Sequence, residues 1–376
     1  MRILTALTYY YPHWTGLTAF AQRIAEGLAA RGHQVTVVTS RYSSELSSEE
    51  TYRGVRIVRV PAWFRLSRGQ VMPAYPSQVW RLIREHDVLQ VHTPMLEAGV
   101  VAWLAHRAGR KVLMTHHGDL VMPRSPWDQV VQRVVGALLD WGAAEADRIS
   151  TYTDDYVQHS AFLRPHAAKT ASILPPVVFP PLDGDPAAWR HELGLEGCPL
   201  IGFAGRFVHE KGFDYLLQAI PLVLEQLPQA KFVFAGEHRV AYERFYECCR
   251  PLLERHREHL MMLGLIREPA ALARFYAMCD VFCLPSRTDC FASVQVEAML
   301  SGTPVVATDI PGARQVVQLS GMGTLVAPQD PAALAEGIVR VIEQREAFVR
   351  PREEIEAVFS VERAITEYEE LLRSLI

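Results

Sequence analysis

Pro285-Ser286-Arg287-Thr288-Asp289-Cys290-Phe291-Ala292-Ser293-Val294-Gln295-Val296-Glu297-Ala298-Met299 is the stretch whose reading decides the fold. Just before it, Val281-Phe282-Cys283-Leu284 is a short apolar run that stops at proline. After it, a helical pattern continues to a stop near Gly302. The segment is therefore a strand, a loop and a helix, with Asp289 in the loop and Glu297 two turns into the helix. Free backbone N–H groups at Phe291, Ala292 and Ser293 would make an anion site at the helix start, while Glu297 lies deeper and accepts hydrogen bonds from hydroxyls. Phosphate donors beside hydroxyl acceptors suit a sugar nucleotide.

Upstream, Leu200-Ile201-Gly202-Phe203-Ala204-Gly205-Arg206-Phe207-Val208-His209-Glu210-Lys211-Gly212 predicts another strand, a turn at Gly205, and two cations in the loop and the following helix start. Breaking a nucleotide–sugar bond leaves a diphosphate whose growing charge needs donors where no divalent metal serves. Arginine can fork onto phosphate oxygens and lysine supplies a compact charge. Two surface cations would be the plain reading of Arg206 and Lys211 taken alone, and their position opposite the Asp289 to Glu297 segment argues against it.

The same alternation runs through the chain. The first half reads as strand Ile3 to Leu7, loop to Thr18, helix Ala19 to Arg31 capped by Gly32, and strand Val35 to Thr39. Further strands follow at Val88 to His92, Lys111 to Met114 and Ile149 to Thr151. Ile173-Leu174-Pro175-Pro176-Val177-Val178-Phe179-Pro180-Pro181 breaks both periodic patterns and reads as an extended linker. A second series begins at Leu200, with helix Tyr215 to Glu225, strand Lys231 to Ala235, a helix through Tyr242 to Glu254, and strands near Met261, Val281, Val305 and Thr324. The expected architecture is α/β, two doubly wound Rossmann-like domains at 1–178 and 179–359, with substrates in a cleft beyond the carboxyl ends of the strands. A last amphipathic helix, 360–376, follows Ser360.

The segment from Pro285 through Thr308 resembles the acidic-x7-acidic motif of family-four retaining glycosyltransferases (glycosyl transferases group 1), whose usual form is Glu-Gly-Phe-Gly followed by Leu-Glu-Ala. Here Asp289 stands for the first Glu, and Cys290 and Ala292 stand for the glycines, which shortens one carboxylate and narrows the backbone approach. The resemblance covers nearly the whole chain. It implies a GT-B fold whose 360–376 helix returns to the first domain, and transfer of a sugar from a nucleoside diphosphate sugar to an acceptor hydroxyl with retained configuration, with no cofactor and no metal. It assigns the diphosphate to Arg206 and Lys211, sugar hydroxyls to Asp289, the ribose to Glu297, and phosphate binding to the Phe291, Ala292 and Ser293 amides. Backbone groups at Ile266, after Met262-Leu263-Gly264-Leu265, would meet the base.

In the first half, Tyr11-Pro12-His13-Trp14-Thr15-Gly16-Leu17 resembles the family's double-glycine loop with one glycine kept, so Gly16 would allow close approach to the donor. Thr115-His116-His117-Gly118-Asp119 resembles its Thr-x-His-Gly element, which assigns His117 rather than His116 to the reaction centre. His92 ends a strand and would shape the acceptor side. A histidine after a strand is otherwise a structural hydrogen-bonder. Asp183-Gly184-Asp185 has Asp-x-Asp spacing but follows no apolar strand and reads as a solvated turn. No residue is an obvious nucleophile below the sugar.

Composition agrees with a soluble globular protein. Of 376 residues, 49% are hydrophobic and 21% charged, which excludes a disordered chain. No signal peptide and no membrane-spanning stretch is evident, which predicts a cytoplasmic protein. The six cysteines, all beyond residue 197, show no metal-ligand spacing and predict reduced thiols. The net charge of −4 hides an asymmetry: residues 1–180 carry 19 Lys+Arg against 14 Asp+Glu, which leaves 19 against 28 for the rest. Between Glu50 and Glu85, seven arginines (53, 56, 59, 65, 68, 81, 84) interleave with Trp63, Phe64, Tyr75 and Trp80 and no acid. That surface predicts a lipid-linked or saccharide acceptor and peripheral contact with the inner membrane face, and no nucleic acid. Glycolipid or polysaccharide assembly is the process it points to. An epimerase or phosphorylase of the same fold and a non-catalytic sugar-nucleotide-binding scaffold are the alternatives. No Gly-x-Gly-x-x-Gly follows a strand, which argues against a dehydrogenase.

Overall fold

The computed structural model describes residues 1–66, 69–120, 126–240 and 243–376. The chain divides into two compact units, Met1–Pro176 with Val361–Ile376, and Val177–Ser360.

In the first unit the elements run β1 (Arg2–Ala6), α1 (Gly16–Ala30), β2 (Gln34–Arg41), β3 (Glu49–Tyr52), β4 (Val55–Pro61), β5 (Phe64–Leu66), β6 (Gly69–Val71), α2 (Tyr75–Ile83), β7 (Val88–Thr93), α3 (Ala98–Arg107), β8 (Lys111–His116), α4 (Pro126–Glu145), β9 (Arg148–Thr151), α5 (Asp154–His159) and β10 (Thr170–Ser172). Strand order is β10-β9-β8-β7-β1-β2-β4-β3, parallel except for the β3–β4 hairpin. From β1 the chain winds outward through β2, then crosses to β7 and winds the other way. The direction of winding therefore switches between β1 and β7, the place where open α/β sheets leave a crevice at the carboxyl ends.

Helix α1 begins three residues earlier than its apolar pattern predicts, because Thr15 caps it. The Thr15 hydroxyl accepts from the Thr18 amide at 3.3 Å, and the Thr18 hydroxyl accepts from the Thr15 amide at 2.7 Å. This reciprocal box explains a threonine in place of a second glycine.

The second unit runs α6 (Pro186–Glu192), β11 (Leu200–Ala204), α7 (Phe213–Gln226), β12 (Lys231–Ala235), α8 (Phe245–Arg255), β13 (Leu260–Gly264), α9 (Pro269–Met278), β14 (Val281–Leu284), α10 (Ser293–Leu300), β15 (Val305–Thr308), α11 (Ala313–Ser320), β16 (Gly323–Val326), α12 (Pro331–Glu343), α13 (Arg345–Phe348) and α14 (Arg352–Val358). Its all-parallel order, β13-β12-β11-β14-β15-β16, switches between β11 and β14. Both central strands are buried along their length, as expected of strands covered on both faces. The helix expected from Tyr242 starts at Phe245, and Tyr242 itself lies outside the described residues.

The last helix, α15 (Val361–Arg373), packs in the first unit against α1. The contact is close: a Cβ on Gly27 would lie 2.3 Å from the tip of Ile365. A buried polar chain holds the same helix to the sheet, from Gln90 to Thr115 (3.1 Å), Thr115 to Ser150 (2.9 Å) and Ser150 to the Tyr368 hydroxyl (3.1 Å).

The basic stretch does not form one surface. Arg59 is buried, with its guanidinium donating to Glu50 and to the Ser47 and Tyr11 carbonyls. Arg56 pairs with Glu49 at 2.6 Å because the β3–β4 hairpin brings that acid alongside, and Arg53, in the hairpin turn, pairs with Glu26 of α1 at 3.3 Å. Arg81 on α2 and Arg84 at its C-terminal cap stay exposed, and Arg68 lies outside the described residues.

Candidate active site

The second unit brings its predicted residues together at the switch between β11 and β14. Arg206 and Lys211 lie on the loop after β11, and Asp289 lies on the loop after β14. Lys211 Nζ donates to Asp289 Oδ2 at 2.6 Å, across 78 positions of sequence. The side chains are 20% and 9% exposed, so this pair is largely shielded from solvent. Burial pulls the Lys211 ammonium towards neutrality, but the charge and hydrogen bond of Asp289 outweigh it and hold its pKa above the usual lysine value. Arg206 is more exposed and reaches Glu210 at 3.3 Å.

Glycines let the two loops meet. Gly212 follows Lys211 with φ +64°, and a Cβ there would stand 1.8 Å from the Pro285 carbonyl oxygen. Gly205 donates its N–H to Ala235, and a Cβ on neighbouring Gly236 would fall 1.9 Å from the Gly205 carbonyl oxygen. Only glycine fits such approaches.

Glu297 sits one turn into α10, not two, because that helix starts at Ser293. Its carboxylate accepts from the Tyr276 hydroxyl at 3.1 Å, and Tyr276 is fully buried on α9. Ser293 turns its N–H back onto the Phe291 carbonyl at 3.2 Å, which departs from the free amide the sequence suggests. Phe291 and Ala292 are buried, with the Phe291 ring edge-on to Phe359. The Cys290 thiol is pushed up to about 12, first by burial and then by Asp289, so it stays protonated. Ile266 is half-buried beyond β13, at the same carboxyl edge of the sheet. Asp185 caps α6 by accepting from the Ala187 amide at 2.9 Å, which gives the Asp-x-Asp triplet a structural use. Among the described residues no group of three or more His, Cys, Asp or Glu side chains is placed to hold a metal ion.

In the first unit the loop after β1 carries Gly16, at the first position of α1, with nothing within 4 Å of a Cβ built there. His117 follows β8. Its Nε2 shares a 2.7 Å hydrogen bond with His92 Nδ1, and its Nδ1 meets the Tyr152 hydroxyl. The two imidazoles stack at 5.0 Å, with Phe20 edge-on to His117 at 4.9 Å. Burial drives both histidines towards the neutral form, His92 to about 3 and His117 well below its ordinary value. His117 therefore has both ring nitrogens engaged within the unit and can bond a ligand only by releasing one. His116 is anchored separately, by Thr93 and Asp119, each at 3.1 Å.

Three residues of this arrangement escape the sequence reading: Tyr276 under Glu297, Tyr152 on His117, and Arg287. Arg287 stood within the decisive segment, and an arginine immediately after Pro-Ser was the available signal. The tyrosines gave none, since their partners lie far away in sequence.

Two family descriptions match the chain: Glycosyl transferases group 1 over residues 198–344 and Glycosyl transferase 4-like domain over residues 15–175. The chain belongs to the group 1 glycosyltransferases and has the GT-B architecture of two Rossmann-like units. It is 27% identical over 355 residues to a phosphatidyl-myo-inositol mannosyltransferase of Mycobacterium leprae, covering 91% of this chain and 87% of the relative. It is 28% identical over 406 residues to a D-inositol 3-phosphate glycosyltransferase of Corynebacterium urealyticum, covering 96% and 91%. Among solved structures it is similar to Anabaena HepE in complex with UDP and glucose, with TM-score 0.79, 22% identity and complete coverage of both chains. Sucrose-phosphate synthase from Thermosynechococcus elongatus matches with TM-score 0.77 and 22% identity, over 100% of this chain and 98% of the other.

Proposed function

We propose that the protein transfers a sugar from a nucleoside diphosphate sugar to an acceptor hydroxyl with retention of configuration, in glycolipid or polysaccharide assembly. The observation that carries this reading is the shielded Lys211–Asp289 pair at the β11/β14 switch. Asp289 keeps the Lys211 ammonium charged and aimed, so a preorganised cation awaits the diphosphate as its charge grows. Arg206, on the same loop, supplies forked donors to the same oxygens. Asp289 would hold sugar hydroxyls, Glu297 the ribose, and the Phe291 to Ser293 backbone the phosphates, with the Ser293 N–H first leaving the Phe291 carbonyl it donates to here. As the bond from the anomeric carbon to the phosphate oxygen breaks, the acceptor oxygen bonds that carbon on the same face. The acceptor's proton passes to the leaving phosphate, so no protein nucleophile is required.

A lipid-linked or saccharide acceptor fits the first unit's surface. Arg84 lies over Trp80 and Arg107 over Trp103, with ring distances of 5.7 and 5.3 Å, beside exposed Arg81. Aromatic and cationic side chains in this mixture favour an anionic membrane interface. The acceptors named for the mycobacterial and corynebacterial relatives support an inositol-containing acceptor as the first to try.

The test is release of nucleoside diphosphate from UDP-, GDP- and ADP-sugars with and without such acceptors, followed by proton NMR of the product anomer. Acceptor-dependent release from one donor with retained configuration is expected. Inversion, or a trapped glycosyl-enzyme adduct, would contradict the mechanism.

A further inference from the structure

We propose that Arg287 is a positioning residue that clamps the loop after β14 to the loop after β11 and so fixes the Lys211–Asp289 geometry. The proposal rests on the donor-site reading above. Arg287 lies two positions before Asp289, and its hydrogen bonds run to the segment that bears the cations, with the Phe245 ring of α8 a further 5.7 Å neighbour of the guanidinium. Its backbone N–H donates to the Glu210 carbonyl at 2.8 Å. Its Nη1 donates to the His209 carbonyl at 2.7 Å and to Asp214 Oδ1 at 2.9 Å, while Nη2 donates to Asp214 Oδ2 at 2.6 Å. The guanidinium lies over the Tyr215 ring at 4.1 Å. Residues 209, 210, 214 and 215 bracket Lys211, so the clamp closes on both sides of the lysine.

The arrangement requires arginine. The forked, two-bond contact with Asp214 holds the guanidinium over the Tyr215 ring, and the remaining Nη1 donor reaches a third oxygen. Lysine offers a point charge without that plane. The pair is 13% and 19% exposed, so solvent weakens it little. Glu210, whose carbonyl takes the Arg287 N–H, also pairs with Arg206, so the same clamp supports the second cation. Arg287 acts through these residues and not on the donor itself.

A residue that positions a leaving-group cation alters the transition state more than the bound ground state. The experiment measures kcat and KM for diphosphate release from UDP-glucose, GDP-mannose and ADP-glucose, with the inositol-containing acceptors of the test above, in wild type, Arg287→Lys, Asp214→Asn and the double variant, with melting temperatures alongside. Each single variant is expected to lower kcat roughly 10- to 100-fold, the scale of a small misplacement of a catalytic group, with little change in KM. The double variant should be no worse than the worse single, because both remove one interaction. Wild-type kinetics in the single variants, a rise in KM at constant kcat, or losses that multiply in the double variant would overturn the clamp and leave the donor site standing. Lack of release by the wild type from every donor would overturn the donor-site reading itself, and this inference with it. Should Arg287→Lys not fold, Asp214→Asn carries the same comparison.

Discussion

Single residues in this protein show how burial and partners set charge. Glu97, beside α3, is largely buried with Oε2 lacking a hydrogen-bond partner, and burial raises its pKa to about 7 despite opposing backbone hydrogen bonds. An acid whose folded pKa lies above its unfolded value holds a proton that the unfolded chain has released. Its contribution is present below about pH 4.5 and lost as pH rises to about 7. Glu97→Gln should therefore raise stability at pH 8 by roughly 1–3 kcal/mol and leave it unchanged near pH 4. Denaturant titrations at the two pH values check this, and an equal effect at both would refute it. At the proposed donor site, Lys211→Ala should cost about 3 kcal/mol of transition-state stabilisation, read as kcat for donor turnover. The sequence made Lys211 and Asp289 legible as residue types at motif spacing. It did not show that they bond to each other, since that depends on two loops meeting at a sheet centre.

At the scale of elements, alternation of apolar runs and helical patterns made both parallel sheets legible, because buried parallel strands read as continuous apolar stretches. The β3–β4 hairpin was less so. Its alternation follows a half-exposed edge, and its acids neutralise arginines that looked like a free basic face. Close loop approach was also hidden, and it yields a prediction. Gly236→Ala would drive a Cβ against the Gly205 carbonyl at φ +142°, and should destabilise the second unit by roughly 1–3 kcal/mol while weakening nucleotide binding. Thermal melts with nucleotide titrations measure both, and a variant with wild-type behaviour would contradict the packing described.

Helix α15 gives the complementary case. Glu369 accepts from Arg373, Arg31 and His33, which hold its carboxyl down at about 2. A depressed acid stabilises above its unfolded value and loses that contribution as pH falls from about 4.5 to about 2. Hydrogen exchange of the α15 amides should therefore quicken over that window, and Glu369→Gln should bring the same quickening at neutral pH. Exchange in the variant that matches wild type would show that the buried Gln90 to Tyr368 chain holds the helix without the ion pairs.

For the whole molecule, the two units repeat one logic: each winds outward from a central strand, crosses over, and leaves a crevice at the switch. The alternation was legible in the sequence, but the strand order and its switches were not, since pairing joins strands far apart in the chain. The nucleotide base, the sugar and the acceptor were not legible, since backbone groups and shape select them. No described helix is long and apolar enough to cross a membrane, and the lipid contact proposed above is assigned to the α2 and α3 surface. Sedimentation with vesicles containing anionic lipid should carry the protein down at low salt, and Arg81→Glu with Arg84→Glu should release it. The most direct measurement of the central claim is calorimetric titration of UDP, GDP and ADP into wild type, Arg206→Ala and Lys211→Ala. Saturable binding of one nucleotide, weakened at least about tenfold in both variants, is the predicted result. Binding of none, or equal binding by all three proteins, would contradict a diphosphate site at the β11/β14 switch.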